Sequence, residues 1–166
     1  MSRQPLLVFG YGNPSRGDDA LGPALVDWLR GQAASIGGTE LLTDFQLQIE
    51  HALDLSERRL VLFADASLEV PPPWDLRRLQ PEPEQRPFSH AMSPTGVMEV
   101  YRRIQGREPP PCYLLAIRGY GFELGQPLSA PAHRNLSAAQ ELLERLLSRP
   151  EDAAWERLAA AGRAPG

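Results

Sequence analysis

The chain has 166 residues, a formal net charge of −4 and one cysteine. That length fits one domain with a normal buried core, and a pI near 5.4 leaves no basic footprint for nucleic acid. The single Cys112 excludes an internal disulfide and a cysteine-based zinc site, and no apolar run is long enough for a signal peptide or a membrane span, so a soluble cytoplasmic protein is expected.

Residues 6–22 read LLVFGYGNPSRGDDALG: a short apolar run, Gly10 and Gly12, a polar turn, then the adjacent acids Asp18 and Asp19. The pattern predicts a buried strand that runs into a tight loop. A phosphate loop does not fit. The third glycine of a dinucleotide fingerprint is Ser15, and the Lys and Ser/Thr of a Walker loop are replaced by Asp18 and Asp19. Carboxylates at that place repel phosphate by roughly a kcal/mol or more each, so the loop suits a cation or a proton. One of the two acids, Asp18, can serve as the N-cap of the following helix. Asp19 is then left to face the crevice at the strand ends.

Leu21, Ala24, Leu25, Trp28 and Leu29 recur at helical spacing, which predicts a helix from about Gly22 or Pro23 to Gly31 or Ala34. Residues 39–45 read as a second strand and residues 47–55 as a short helix carrying His51, which reads as a surface or internally satisfied histidine. Residues 60–66 (LVLFADA) have the continuous apolar character of a central parallel strand, closed by Asp65. A carboxylate there can cap a turn, but the carboxyl ends of parallel strands are also where open α/β sheets bind ligands.

Residues 70–88 contain six prolines and are expected to form a mobile excursion bordering the crevice, its prolines denying it ladder hydrogen bonds; the plainer expectation is a solvated loop with one edge strand near 76–79. His90 follows, just outside a helix opened by Ser93 as N-cap and Pro94 at the first helical position, and is an available ligand or base. Residues 112–118 (CYLLAIR) form another buried strand in which Cys112 is a packing residue, and a glycine-rich loop over 119–125 and an amphipathic helix over about 132–148 complete the pattern. The expected architecture is a three-layer α/β/α domain over residues 1–150 around a mainly parallel sheet of about five strands, with 151–166 as a tail or short helix. Asp19, Asp65 and His90 then share one sheet edge.

These residues resemble the [NiFe] hydrogenase maturation proteases over residues 5–148. The marks are Gly10-Tyr11-Gly12-Asn13 running into Asp18-Asp19-Ala20-Leu21-Gly22, the strand end Ala64-Asp65-Ala66, and His90 shortly before a Ser-Pro helix start. The resemblance implies an endopeptidase that removes the C-terminal extension of a hydrogenase large subunit after nickel insertion. It also implies that Asp19, Asp65 and His90 are the metal-contacting and catalytic residues. Nickel would be supplied by the substrate, with no tightly bound organic cofactor, and the partner would be the large-subunit precursor, met by a monomer. The family often has Glu where this chain has Asp19, and many members carry Asp-Gly-Gly where this chain has Asp44-Phe45-Gln46. The run Gln46-Leu47-Gln48-Ile49-Glu50 is similar to a Q-L-x-x-E variant in proteases serving bidirectional, NAD-linked hydrogenases.

Read from the residues alone, two carboxylates and an imidazole form an incomplete O/O/N set suited to a borderline divalent ion. Peptide cleavage could use a metal-polarised carbonyl or water, or a carboxylate as general base. The same set would serve a metal-dependent hydrolase of small substrates, and the acidic crevice alone would serve a non-enzymatic binding module.

Overall fold

A computed structural model describes residues 3–32, 37–85 and 91–162. Five strands form one sheet in the order β2-β1-β3-β5-β4: β1 (Leu6–Tyr11), β2 (Thr39–Asp44), β3 (Leu60–Ser67), β4 (Trp74–Arg78) and β5 (Cys112–Arg118). β1, β2, β3 and β5 are parallel, and β4 alone runs antiparallel, against β5. The expected mainly parallel sheet of about five strands is therefore the one observed.

Alternation along the strands divides the core in two. Leu6 and Val8 of β1, Leu60, Leu62 and Ala64 of β3, and Tyr113, Leu115 and Ile117 of β5 face one side, where they pack with α1 (Leu21–Arg30), α3 (Ala130–Ser148) and α4 (Asp152–Gly162). Leu7 and Phe9, Val61 and Phe63, and Cys112 face the other, against α2 (Pro94–Gln105) and a 3-10 helix over Ile49–Leu55. The helix α2 starts as its sequence dictates. The Ser93 side chain accepts the Gly96 N–H at 3.1 Å, Pro94 follows, and Gly106 closes the helix with φ of 68°. Among the described residues, no helix is long and apolar enough to cross a membrane.

The last helix is fixed to the sheet. Trp155 is fully buried, its Nε1–H donates to the Leu146 carbonyl at 2.9 Å, and its ring meets Tyr113 edge-on at 5.4 Å. Arg78 of β4 donates from Nε to Asp152 at 3.1 Å, and the Tyr113 hydroxyl donates to the Asp152 carbonyl at 2.9 Å.

The proline-rich stretch contains the edge strand expected near 76–79, shifted to Trp74–Arg78, and departs from the expectation that its prolines deny it ladder hydrogen bonds. Its prolines bracket the five residues of β4, so the proline-free interval pairs with β5 while Pro71, Pro72 and Pro73 lie before it and Pro81 after. Leu76 is buried, and Leu79 N–H donates to Cys112 O at 2.8 Å. An edge strand that gives only one side to pairing tolerates prolines at its ends, so ladder bonds form where they were expected to be denied. Residues 86–88 lie outside the described residues.

Candidate active site

Parallel strands end together, so the loops after β1, β2 and β3 meet at one edge. After β1 the chain turns through Gly12, whose φ is 144° and where a Cβ would overlap the Asp19 carbonyl. A 3-10 turn over Gly17–Ala20, absent from the predicted elements, then carries both acids before α1 begins. At Gly22 a Cβ would sit 2.5 Å from Ala64 O, so only glycine lets α1 start this close to β3.

The two acids have different surroundings. Asp18 is 1% exposed and caps neither the 3-10 turn nor α1; the loop after β5 surrounds it instead. Its carboxylate accepts the Tyr120 N–H at 2.8 Å and, at 2.7 and 2.8 Å, the N–H and hydroxyl of Ser129, the N-cap of α3. Backbone bonds continue this zipper: Asp18 N–H to Gly121 O at 2.9 Å, Gly17 N–H to Gln126 O at 2.9 Å, and Gly125 N–H to Ser15 O at 2.7 Å. The glycine-rich loop is thus the structural partner of the acidic loop. Asp18 caps nothing on its own element; it binds across the fold.

Asp19 is part-exposed and faces a cleft of about 480 Å³ lined by Asn13, Arg16, Asp44, Phe45, Gln46 and Gln48. Asn13 N–H donates to its Oδ2 at 2.9 Å. A carboxylate offers about four lone-pair sites, so this bond orients the group and leaves it able to accept from a substrate or a cation. Asp65 sits in β3 on the same face as Val61 and Phe63 by strand alternation, near the strand's carboxyl end, and its Oδ1 accepts the Ala66 N–H at 2.8 Å. Both carboxylates therefore lie at the carboxyl edge of neighbouring strands. His90 lies outside the described residues. Met92, two residues later, donates its N–H at 3.0 Å to the carbonyl of buried Leu47, which is flanked by the cleft residues Gln46 and Gln48. Among the described residues, no three His, Cys, Asp or Glu side chains converge as a ligand set.

The cleft wall opposite Asp19 is built by the end of β2. Asp44 Oδ1 accepts the Phe45 N–H at 2.7 Å, and its Oδ2 lies 3.2 Å from His51 Nε2. His51 Nδ1 accepts the Gln48 N–H at 2.8 Å, which assigns the ring proton to Nε2 and makes that nitrogen the donor to Asp44. With Phe9 packed edge-on at 4.8 Å, His51 is a satisfied bracing residue, as the sequence led us to expect. Arg16 was not singled out as a cleft residue because a lone arginine in a turn carries no pattern; its Nη1 donates to Phe122 O at 3.4 Å. Cys112 is fully buried, donates to Pro110 O at 3.3 Å, and has its thiol pKa raised by burial, which removes it as a nucleophile.

No protein-family model and no curated protein sequence matches the chain. Solved structures do match. The [NiFe] hydrogenase maturation protease HycI from Thermococcus kodakarensis KOD1 superposes with a TM-score of 0.67 at 17% identity, over 89% of this chain and 94% of that one. The hydrogenase maturating endopeptidase HybD from E. coli gives 0.62 at 22% identity, over 86% and 90%. The hydrogenase 2 maturation peptidase from Thaumarchaeota archaeon SCGC_AB-539-E09 gives 0.58 at 21% identity, over 83% and 94%. The chain has the fold of the [NiFe] hydrogenase maturation proteases, the family that its motifs resemble.

Proposed function

We propose that this protein is a cytoplasmic endopeptidase that removes the C-terminal extension from the large-subunit precursor of a [NiFe] hydrogenase once nickel is in place. The observation that carries the reading is the coincidence of two independent likenesses. The ordered motifs around Asp19, Asp65 and His90 and the fold over most of the chain lead to the same family.

In this reading Asp19, Asp65 and His90 contact nickel held by the substrate, so the metal is part of what is recognised. The acceptor capacity of Asp19 and the position of Asp65 at the adjacent strand end support the carboxylate half of that set. Hydrolysis then adds water across the scissile bond: the water oxygen joins the acyl carbon, the C–N bond breaks, and the proton passes to the leaving amine. A carboxylate beside the carbonyl is suited to take that proton from the attacking water. The protein docks as a monomer on one large subunit, and the run Gln46-Leu47-Gln48-Ile49-Glu50, two of whose residues line the cleft, marks a protease of the bidirectional, NAD-linked type.

The test is incubation of the purified protein with nickel-loaded and nickel-free precursors, read by intact mass. Loss of the extension from the nickel-loaded form alone is expected. An uncut loaded precursor would leave a binding module, and stoichiometric metal retained by the purified protein would favour a hydrolase of small substrates.

A further inference from the structure

An endopeptidase must hold its substrate extended across the reacting groups, and a sheet edge with unpaired backbone groups is a ready template for an extended chain. The sheet has two edges, β2 and β4. β4 lies beyond β3 and β5 from the Asp19 loop and is tied to α4 through Arg78 and Asp152. β2 lies directly beside β1, which leads into that loop, and its own last residue, Asp44, lines the cleft with Asp19.

The ladder fixes which groups of β2 are available. Leu6 N–H donates to Gly38 O at 3.2 Å and Gly12 N–H to Asp44 O at 3.0 Å, so the even-numbered residues of β2 turn their backbone groups toward β1. By alternation, the N–H and C=O groups of Thr39, Leu41 and Thr43 turn outward, and no described residue is paired with them. β2 (TELLTD) contains neither proline nor lysine, the residues that commonly block edge pairing. Beyond its end lie exposed apolar side chains: Phe45 is 64% exposed, Ile49 57% and Leu53 52%, three of the seven exposed large hydrophobic residues among those described.

We infer that the substrate's C-terminal segment adds to the open edge of β2 as a sixth strand, bonded to Thr39, Leu41 and Thr43, and passes from there into the cleft at Asp19, with Phe45 and Ile49 contacting its apolar side chains. The inference rests on the endopeptidase reading and names the surface that grips the peptide. Recognition through backbone groups tolerates varied substrate sequences, while the apolar exit supplies selectivity.

Thr43→Pro tests it, because proline removes an outward N–H at an exposed position where an edge strand tolerates it. Processing of the nickel-loaded precursor is expected to show KM raised about tenfold with kcat within about twofold, the loss of one or two backbone hydrogen bonds. Unchanged KM in a variant whose thermal transition matches wild type overturns the inference. Amide hydrogen exchange supplies a second arm independent of that variant's folding. In an Asp19→Asn protein that co-elutes with the loaded precursor, Thr39, Leu41 and Thr43 are expected to exchange more slowly. Unchanged exchange at these three amides overturns the inference. Failure of wild type to shorten the precursor would instead remove the endopeptidase reading.

Discussion

Asp18 and Ser129, 111 residues apart, are joined by two hydrogen bonds, from the serine N–H at 2.7 Å and its hydroxyl at 2.8 Å to the two oxygens of one carboxylate. The same serine caps α3, so one buried acid holds the acidic loop, the glycine-rich loop and the start of that helix. Asp18→Asn replaces one acceptor oxygen by a donor facing donors, and should lower unfolding stability by on the order of 3 kcal/mol. Asp19→Asn, beside a solvent-open cleft, should change it by less than about 1 kcal/mol and remove processing. Urea unfolding of both variants checks the contrast between these adjacent residues.

His51 braces the cleft wall through its contacts to Asp44 and the Gln48 N–H. His51→Ala removes its bonds to Asp44 and to the Gln48 N–H and should cost about 1–2 kcal/mol of stability, with processing retained. Thermal unfolding alongside the processing assay separates the two effects; a fully folded but inactive variant would make His51 part of the machinery.

Removing α4 should be severe. Trp155→Ala leaves a cavity against Tyr113 and an orphaned Leu146 carbonyl, and is expected to cost about 3–5 kcal/mol. Calorimetry of this variant checks whether the C-terminal helix shares in the cooperative unfolding of the sheet.

Acid sensitivity should arise in part from Glu99 of α2. The hydrogen bond from Arg103 at 2.9 Å, with the charge of Arg102 beside it, holds its carboxyl below the ordinary carboxylate range. A folded-state pKa below the unfolded one contributes stability that is present above the unfolded pKa and is lost as pH falls through the folded one. Glu99→Gln should therefore flatten the stability profile as pH falls below the ordinary carboxylate range while lowering its plateau near neutrality, as read from urea midpoints.

Periodicity and turn chemistry made most of the fold legible. Cys112–Arg118 reads as a strand and is one to the residue, and Ser93-Pro94 marks the start of α2. The errors have local causes. The six prolines of residues 70–88 outweighed the edge strand expected near 76–79, which forms at Trp74–Arg78, and Asp18 was read as a local cap because its partners, Tyr120 and Ser129, are more than 100 residues away. The placement of Asp19 and Asp65 at one sheet edge was legible because strand ends and adjacent acids are sequence features. The cleft wall was less so, since Arg16 and the Asp44–His51 pair acquire their meaning only when β2 is laid against β1.

Intact-mass spectrometry of the nickel-loaded precursor after incubation with each variant tests whether Asp19, Asp65 and His90 act together on it. Wild type, His51→Ala and Cys112→Ser are expected to yield the shortened subunit, whereas Asp19→Asn, Asp65→Asn and His90→Ala leave it at full mass while remaining folded. Full processing by His90→Ala, or by either carboxylate variant, would show that the three residues do not act as one set.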